Sequence, residues 1–269
     1  MCSARRSSVA VLRDELTMRC KQPDGPAHAM PAAFYTSKAF HRVECDHIFR
    51  KEWICLGHIG EIPNRGDYYT AELVGEPLLI LKDDDGTARV FSNVCRHRGH
   101  PLADGKGTRR RFVCPYHAWS YGLDGTLKSA PYMEQCEGFD KKAIRLPEFR
   151  SEIWKGFIFA NLDANAAPLS TGLLDLESLV QNYHIENRRL VHQEEDRWNT
   201  NWKCLTENFM EGYHLSITHA KTLHHITPTS LCRKIPGGES YTAYTSGYDP
   251  KFPNREPFHS DLTEKERRQ

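Results

Sequence analysis

The chain has 269 residues, with 36 Lys+Arg against 35 Asp+Glu and a formal charge of +1, which excludes a nucleic-acid tail or a polybasic membrane surface as its main feature. Hydrophobic residues make up 39% and aromatic residues 10%, enough for a packed core, so wholesale disorder is excluded too. No apolar run approaches the ~18 residues of a membrane span, and the N-terminal run Val9–Leu12 is too short for a secretory signal, so a cytoplasmic protein is expected.

Residues 1–35 mix charge, Ser, Pro and Gly with little periodicity and read as a flexible arm. Residues 36–54 follow as a helix, Ser37 to Trp53, with Phe40, Val43, Ile48 and Phe49 recurring at helical spacing. From 55 to 162 the pattern changes to short β runs, Asp67–Val74, Pro77–Leu81, Ala88–Val94, Arg111–Cys114, Ala118–Tyr121 and Trp154–Leu162. Asp85-Gly86 and Asp124-Gly125 punctuate them as tight turns. Residues 163–269 change texture again: Leu173–Tyr183 has helical periodicity, Leu190–Trp198 is strand-like, and Thr200–His214 is a strong helix. Fold class is therefore α+β, a strand-rich module followed by a helical and strand-bearing region.

Nine cysteines in a chain of this length read as packing, catalysis or metal binding rather than as a disulfide framework. Spacing singles out two of them. Cys95-Arg96-His97 and Cys114-Pro115-Tyr116-His117 each place one thiol and one imidazole on a short loop, with Gly99 and Pro115 beside them. Two Cys and two His can hold zinc or a [2Fe–2S] cluster. Zinc fingers normally follow a Cys pair with a His pair, whereas here each half carries one of each, which suits two hairpin loops clasping a two-iron cluster. His100 falls outside the pattern and reads as a surface or packing histidine.

A second constellation lies in Asn201-Trp202-Lys203-Cys204-Leu205-Thr206-Glu207-Asn208-Phe209-Met210-Glu211-Gly212-Tyr213-His214, with His219 just beyond. On a continuous helix, Glu207, Glu211 and His214 fall within about 60° of one another as a polar stripe. Two histidines and a carboxylate are the components of the triad that holds non-haem Fe(II). By itself the pattern is also that of an ordinary half-buried polar helix face.

Together the two motifs resemble the α subunit of a Rieske non-haem iron oxygenase, the ring-hydroxylating family, over about residues 35–230. The resemblance implies a Rieske domain at 55–162 and the N-terminal part of a helix-grip (START-like) catalytic domain at 163–269, on which the 36–54 helix packs. It implies that Cys95 and Cys114 bind one iron and His97 and His117 the other, and that His214 and His219 ligate a mononuclear Fe(II). Glu211 then stands at the bridging carboxylate that relays electrons between subunits, with Asn208 near the iron. The implied cofactors are the [2Fe–2S] cluster and Fe(II), with O2 as co-substrate and NAD(P)H acting through a reductase or ferredoxin. The implied assembly is a homotrimer that hydroxylates or oxidatively demethylates a small organic molecule, a quaternary ammonium compound or an aromatic acid.

The chain departs from the family pattern at two places. Most ring hydroxylases carry Asp at the bridging position; Glu211 is similar to the branch that demethylates quaternary ammonium compounds such as carnitine and betaines. The third iron ligand, an Asp far downstream in the family, has only Asp249 and Asp261 as candidates, both in a polar Pro- and Gly-rich stretch, so the carboxylate is expected to be missing. On this reading the chain is a truncated product that assembles the cluster, holds mononuclear iron poorly and exposes apolar surface around Leu205, Phe209 and Met210. An electron-transfer protein with a non-catalytic extension is the alternative. Trp198 and Trp202 could face a trimethylammonium group or simply pack. His224 and His225 read as surface or outer-sphere residues, and Cys204, Cys232 and the remaining cysteines as free thiols in or near the core.

Overall fold

The computed structural model describes residues 9–21, 29–133, 135–238, 240–249, 251 and 261–267. They fall into two compact units. One comprises Asp46–Thr171 and His184–Glu194; the other comprises Met1–Cys45, Gly172–Tyr183 and Glu195–Gln269. The first boundary thus falls at Cys45 rather than at 54, and the 184–194 stretch belongs with the strand-rich unit.

The strand-rich unit is built on a seven-stranded antiparallel sheet. Its strands are β1 (Ile54–His58), β2 (Asp67–Leu73), β3 (Glu76–Lys82), β4 (Ala88–Ser92) and β5 (Lys106–Thr108), joined by β9 (Glu148–Trp154) and β10 (Phe157–Asn161). The order across the sheet is β1-β10-β9-β4-β3-β2-β5. A second sheet of three strands, β6 (Phe112–Val113), β7 (Ser120–Tyr121) and β8 (Leu127–Ser129), carries the second Cys–His loop between its first two members.

β3 shows why the apolar run Pro77–Leu81 is continuous rather than alternating. Successive side chains of a strand point to opposite faces, and both faces of β3 are covered. Leu79 and Leu81 join a core with Phe91, Phe112, Trp119, Tyr121 and Leu123, while Leu78 and Ile80 join another with Ile62, Val90, Ile158 and Ala160. The first of these cores contains Cys95 and Cys114.

The expected strand Trp154–Leu162 is instead two. β9 ends at Trp154 and β10 starts at Phe157, and Trp154 and Phe157 close the hairpin as a pair. Lys155 and Gly156 have φ 49° and 80°, the positive pair that a type I′ turn requires. Val74-Gly75 turns β2 into β3 in the same way, with φ 44° and 81°. Leu190–Trp198 forms no strand; it pairs with no edge among the described residues, and Val191 is almost fully exposed. A strand without a partner edge leaves its backbone groups to water, which the acidic run from Glu194 to Asp196 favours.

In the other unit the expected flexible arm is partly helical. α1 (Val9–Cys20) buries Leu12 against Phe34 of α2 (Ala33–Thr36) and Phe40 of α3 (Lys38–Glu44). The Phe34 and Phe40 rings meet edge to face at 5.0 Å. Ser37 caps α3 by accepting from the Phe40 N–H, and the helix runs on as a π-turn through Phe49. α4 (Leu169–Val180) begins earlier than its apolar periodicity indicates and ends in a 3₁₀ turn through Tyr183.

Beyond it come α5 (Trp202–Phe209), α6 (Leu215–Thr218), a ribbon of β11 (Cys232–Ile235) and β12 (Ala243–Ser246), and α7 (Glu264–Arg267). Among the described residues no helix is long and apolar enough to cross a membrane.

α5 is tied to the N-terminal helices by charge. Glu44 is buried, and its carboxylate accepts from Lys203 Nζ at 2.5 Å and from Trp202 Nε1 at 3.2 Å. The ammonium also lies over the rings of Trp202 (5.3 Å), Tyr35 (5.6 Å) and Phe40 (5.9 Å). Tyr35 donates to Glu207 at 2.9 Å, and Asn201 Nδ2 donates to the Tyr35 carbonyl. Removing one partner of a buried pair strands the other charge. Lys203→Met should therefore lower unfolding stability by about 3 kcal/mol, and Glu44→Gln added to it should recover part of the loss. Denaturant midpoints of the two variants check this; equal midpoints for Lys203→Met and the unmodified chain would dismiss the pair.

Candidate functional site

The two Cys–His loops fold alike despite their different spacing. Cys95 N donates to the His100 carbonyl at 2.9 Å, and Gly99 N to the Cys95 carbonyl at 3.0 Å. Cys114 N donates to the Trp119 carbonyl at 2.8 Å, and Ala118 N to the Cys114 carbonyl at 2.9 Å. Each loop is thus closed by its cysteine, the fourth residue after it and the fifth. The fourth residue has positive φ in both, 72° at Gly99 and 57° at Ala118. Gly99 adopts this freely, whereas Ala118 carries a strain of about 1–2 kcal/mol.

These loops bring Cys95, His97, Cys114 and His117 together. The thiols are each 2% exposed and lie in one core cluster. The imidazoles stand at the surface, with ring centroids 4.7 Å apart. His97 stacks on buried Trp119 at 4.8 Å with planes 9° apart, and Tyr116 lies 4.0 Å from the His117 ring. Burial pushes the Cys114 thiol up; backbone N–H groups of Tyr116 and His117 aimed at its sulfur pull the other way. Burial, then the neighbouring His117 and Arg98, push His97 below the usual imidazole range. Among the described residues no three His, Cys, Asp or Glu side chains converge on one metal-ion position. The donors come as two pairs, thiols inside and imidazoles outside. That division fits a two-iron cluster and does not fit a four-donor zinc site.

Tyr121 completes this site and was not singled out by the sequence. Its hydroxyl lies 3.3 Å from Cys95 Sγ and accepts from the Arg96 N–H at 2.9 Å. Burial raises its pKa, so the phenol keeps its proton and can donate to sulfur. The available signal was its place two residues after Trp119, on the same face of the strand that leaves the second loop. His100 instead holds the Pro101 carbonyl at 2.6 Å through Nδ1.

The second constellation is arranged differently from the sequence expectation. α5 stops at Phe209 instead of continuing to His214, so Glu207, Glu211 and His214 do not form one stripe. Glu207 turns to Tyr35, and Asn208 is exposed on α5 with no side-chain hydrogen bond among the described residues. Past the break, Gly212 is buried with its backbone against the Cys232 side chain, where any Cβ would overlap sulfur. In the turn so formed, Glu211 Oε1 accepts from His214 Nδ1, and Oε2 accepts from the Tyr213 and His214 N–H groups. Burial opposes ionisation of Glu211, but these bonds outweigh it and hold the carboxyl below its usual range.

His214 and His219 sit at the two ends of α6 with ring centroids 5.3 Å apart. Neither Asp249 nor Asp261 joins them as a third donor. Asp249 Oδ1 accepts from the Lys251 N–H, and Asp261 is exposed.

Of the remaining candidates, His224 Nδ1 lies 3.0 Å from Ser216 Oγ, and His225 packs beside His224. Trp198 is 60% exposed, and Trp202 already faces an ammonium, that of Lys203. Cys20, Cys55, Cys136 and Cys204 are exposed and Cys45 and Cys232 half-buried, so these thiols are not core residues; Cys2 lies outside the described residues. A cavity of 290 Å³ lined by Gly60, Glu61, Tyr69, Lys106, Arg189 and Leu190 contains none of the candidates.

Residues 52–149 match the Rieske [2Fe-2S] domain, and residues 180–266 match the ring hydroxylating alpha subunit (catalytic domain). The chain is 36% identical over 203 residues to the carnitine monooxygenase oxygenase subunit of Escherichia coli K12, covering 74% of this chain and 54% of that protein. It is 35% identical over 196 residues to the glycine betaine monooxygenase oxygenase subunit of Pseudomonas aeruginosa, covering 72% and 46%. Among solved structures, a quaternary ammonium Rieske monooxygenase bound to an inhibitor superposes with TM-score 0.76 at 32% identity, over 81% of this chain and 62% of that one. Naphthalene 1,2-dioxygenase from Rhodococcus sp. superposes with TM-score 0.75 at 26% identity, over 94% and 59%. The chain spans about half the length of the curated relatives it matches.

Fold, paired donors and these likenesses define a Rieske module joined to catalytic-domain sequence. The chain belongs to the Rieske oxygenase α subunits, and the relatives just named include oxygenase subunits of monooxygenases for quaternary ammonium compounds.

A hydrogen bond to a cluster thiolate raises the potential by stabilising the reduced, more negative state. Tyr121→Phe should keep the cluster and lower its midpoint by about 40 mV, the one-electron equivalent of about 1 kcal/mol. Redox titration followed by visible absorption measures it; an unchanged midpoint would show that the phenol does not donate to sulfur.

Proposed function

We propose that this chain is the oxygenase component of a multicomponent Rieske monooxygenase that hydroxylates or oxidatively demethylates a small quaternary ammonium compound. Cys95 and Cys114 hold one iron of the [2Fe–2S] cluster, His97 and His117 the other, and His214 and His219 hold mononuclear Fe(II). When bound, these groups carry single electrons and activate O2, with NAD(P)H-derived electrons arriving from a reductase or ferredoxin.

What this chain's own residues contribute follows from their placement. The buried thiols keep one side of the cluster site dry, while the exposed imidazoles of His97 and His117 offer the side a partner can approach. Glu211 accepts at His214 Nδ1, which leaves Nε2 with its lone pair outward. The observation that carries the reading is this carboxylate–imidazole pair beside His219, in a chain that also bears the Cys–His loops. A half-exposed carboxylate there is available to a neighbouring copy, which supports a homotrimer with Glu211 as the inter-subunit relay. Glu rather than Asp at this position, and relatives named for carnitine and glycine betaine, support the trimethylammonium class over aromatic acids.

The test is oxygen uptake by the chain with a reductase, NAD(P)H and excess Fe(II), so that weak iron affinity does not mask turnover. Substrate-dependent uptake with carnitine or glycine betaine, one oxidised product per O2 (formaldehyde where an N-methyl group reacts, trimethylamine where a methylene carbon does), and none in His219→Ala is the expected result. A cluster that reduces normally, two irons per chain and no uptake with any substrate would replace the proposal with electron transfer alone.

Two substitutions probe the parts. His117→Cys should lose the cluster or shift its potential sharply down, because a thiolate adds charge that favours the oxidised state; a potential and spectrum like those of the unmodified chain would remove His117 from the ligand set. Glu211→Ala should keep both metal centres loaded but lose at least about tenfold in turnover, the scale of outer-shell partners of metal ligands. Single-turnover reoxidation of the reduced cluster reads this, and an unchanged rate would remove Glu211 from the relay.

A further inference from the structure

We propose that Ser216 and Thr229 are positioning residues that set the spacing of His214 and His219; this rests on the reading of that pair as the iron site. The two histidines bracket α6, a helix of four residues. So short a helix does not hold itself, because its single turn fixes more dihedrals than its hydrogen bonds offset. Packing holds it only at one point: Leu215 is buried, whereas Tyr213 is 85% and Ile217 83% exposed.

Hydrogen bonds from outside the turn take over that task. Thr229 Oγ1 accepts from the Ser216 N–H at 3.1 Å, one of the donors a helix N-terminus leaves free. Its own hydroxyl proton is shared between the carbonyls of Gly212 (2.8 Å) and Tyr213 (3.0 Å). In return the Thr229 N–H donates to Ser216 Oγ at 3.0 Å. Ser216 Oγ in turn lies 3.0 Å from His224 Nδ1.

Three residues after Thr229, Cys232 begins β11 and meets the buried Gly212 backbone. The segment Thr229–Cys232 therefore grips the turn at two places, once by hydroxyl and once by contact. Glu211 fixes the Tyr213 and His214 N–H groups from the other side. The carbonyls of Gly212 and Tyr213 and the N–H groups of Tyr213, His214 and Ser216 are thus engaged by Glu211 and Thr229, Ser216 Oγ holds Thr229 in return, and none of these three need touch the metal to decide where the imidazoles stand.

The experiment uses the cluster-loaded full chain and Co(II) as probe, read by its visible absorption, with thermal unfolding in parallel. Thr229→Val keeps the shape and removes the hydroxyl. It should weaken Co(II) binding about tenfold, within the range found for outer-shell partners, while cluster absorbance stays unchanged. Thr229→Ser restores the hydroxyl and should bind within about twofold of the unmodified chain. Ser216→Ala, which deletes one oxygen, should weaken binding severalfold and supplies the answer if Thr229→Val does not fold.

His219→Ala is the control for the parent reading and should abolish Co(II) binding. If it does, and Thr229→Val or Ser216→Ala binds as tightly as the unmodified chain, the positioning role is overturned while the histidine pair stands. If His219→Ala binds Co(II) normally, the histidine pair is not the metal site and the proposal falls with it.

Discussion

Two buried sulfur atoms set the terms for the strand-rich unit. Cys95 and Cys114 are almost wholly removed from water, so whatever steadies charge on them has to come from the protein. It comes from backbone N–H groups of the second loop and from the Tyr121 hydroxyl. Each loop folds back on its own cysteine carbonyl, with a positive φ at Gly99 and at Ala118, the residues whose N–H groups close it. The tolerated strain at Ala118 implies that the fold over-determines this turn. Beneath the loops, one face of β3 and β4 supplies Leu79, Leu81 and Phe91 as the floor on which Trp119 and Tyr121 rest. The His97 ring then stacks on Trp119, so the order of the outer pair is inherited from the packing of the inner one.

How much of this the sequence displayed depended on the range of the interactions. The Cys–His loops are six residues each and closed by their own backbone, so their identity was visible in spacing alone. The two faces of β3 were visible as an unbroken apolar run. The turn at Lys155-Gly156 was overlooked because apolar residues flank it on both sides and hide the glycine signal. The end of α5 was hidden more deeply. Nothing in Met210–Tyr213 announces the break except Gly212, whose backbone lies against Cys232, twenty residues downstream in the chain. α1 was read as a flexible arm because its pattern is weak, and its order depends on burial of Leu12 against Phe34 and Phe40.

The fate of Trp202 shows how a residue type can suggest one cation and serve another. An indole face beside a carboxylate is a reasonable receiver for trimethylammonium. In the folded unit that face, with Tyr35, Phe40 and Glu44, surrounds the chain's own Lys203. A cage filled by a covalently attached ammonium has an occupant at very high effective concentration and is closed to a free ligand of similar affinity. Selectivity for a quaternary ammonium, if it resides in described residues, has to be sought elsewhere.

The same reasoning limits what Glu211 can be. A facial triad needs a carboxylate oxygen on the metal side of the histidines. Glu211 Oε1 is engaged at His214 Nδ1, and Oε2 at two backbone N–H groups of the turn. An imidazole bound through Nδ1 to a carboxylate presents Nε2 on the far side of the ring, so the group that orients His214 faces away from the position that its lone pair addresses. Turning Glu211 inward would give up its bonds to the Tyr213 and His214 N–H groups together. On the proposed reading Glu211 therefore fits the outer position and not the third ligand, and among the described residues neither Asp249 nor Asp261 joins the histidine pair.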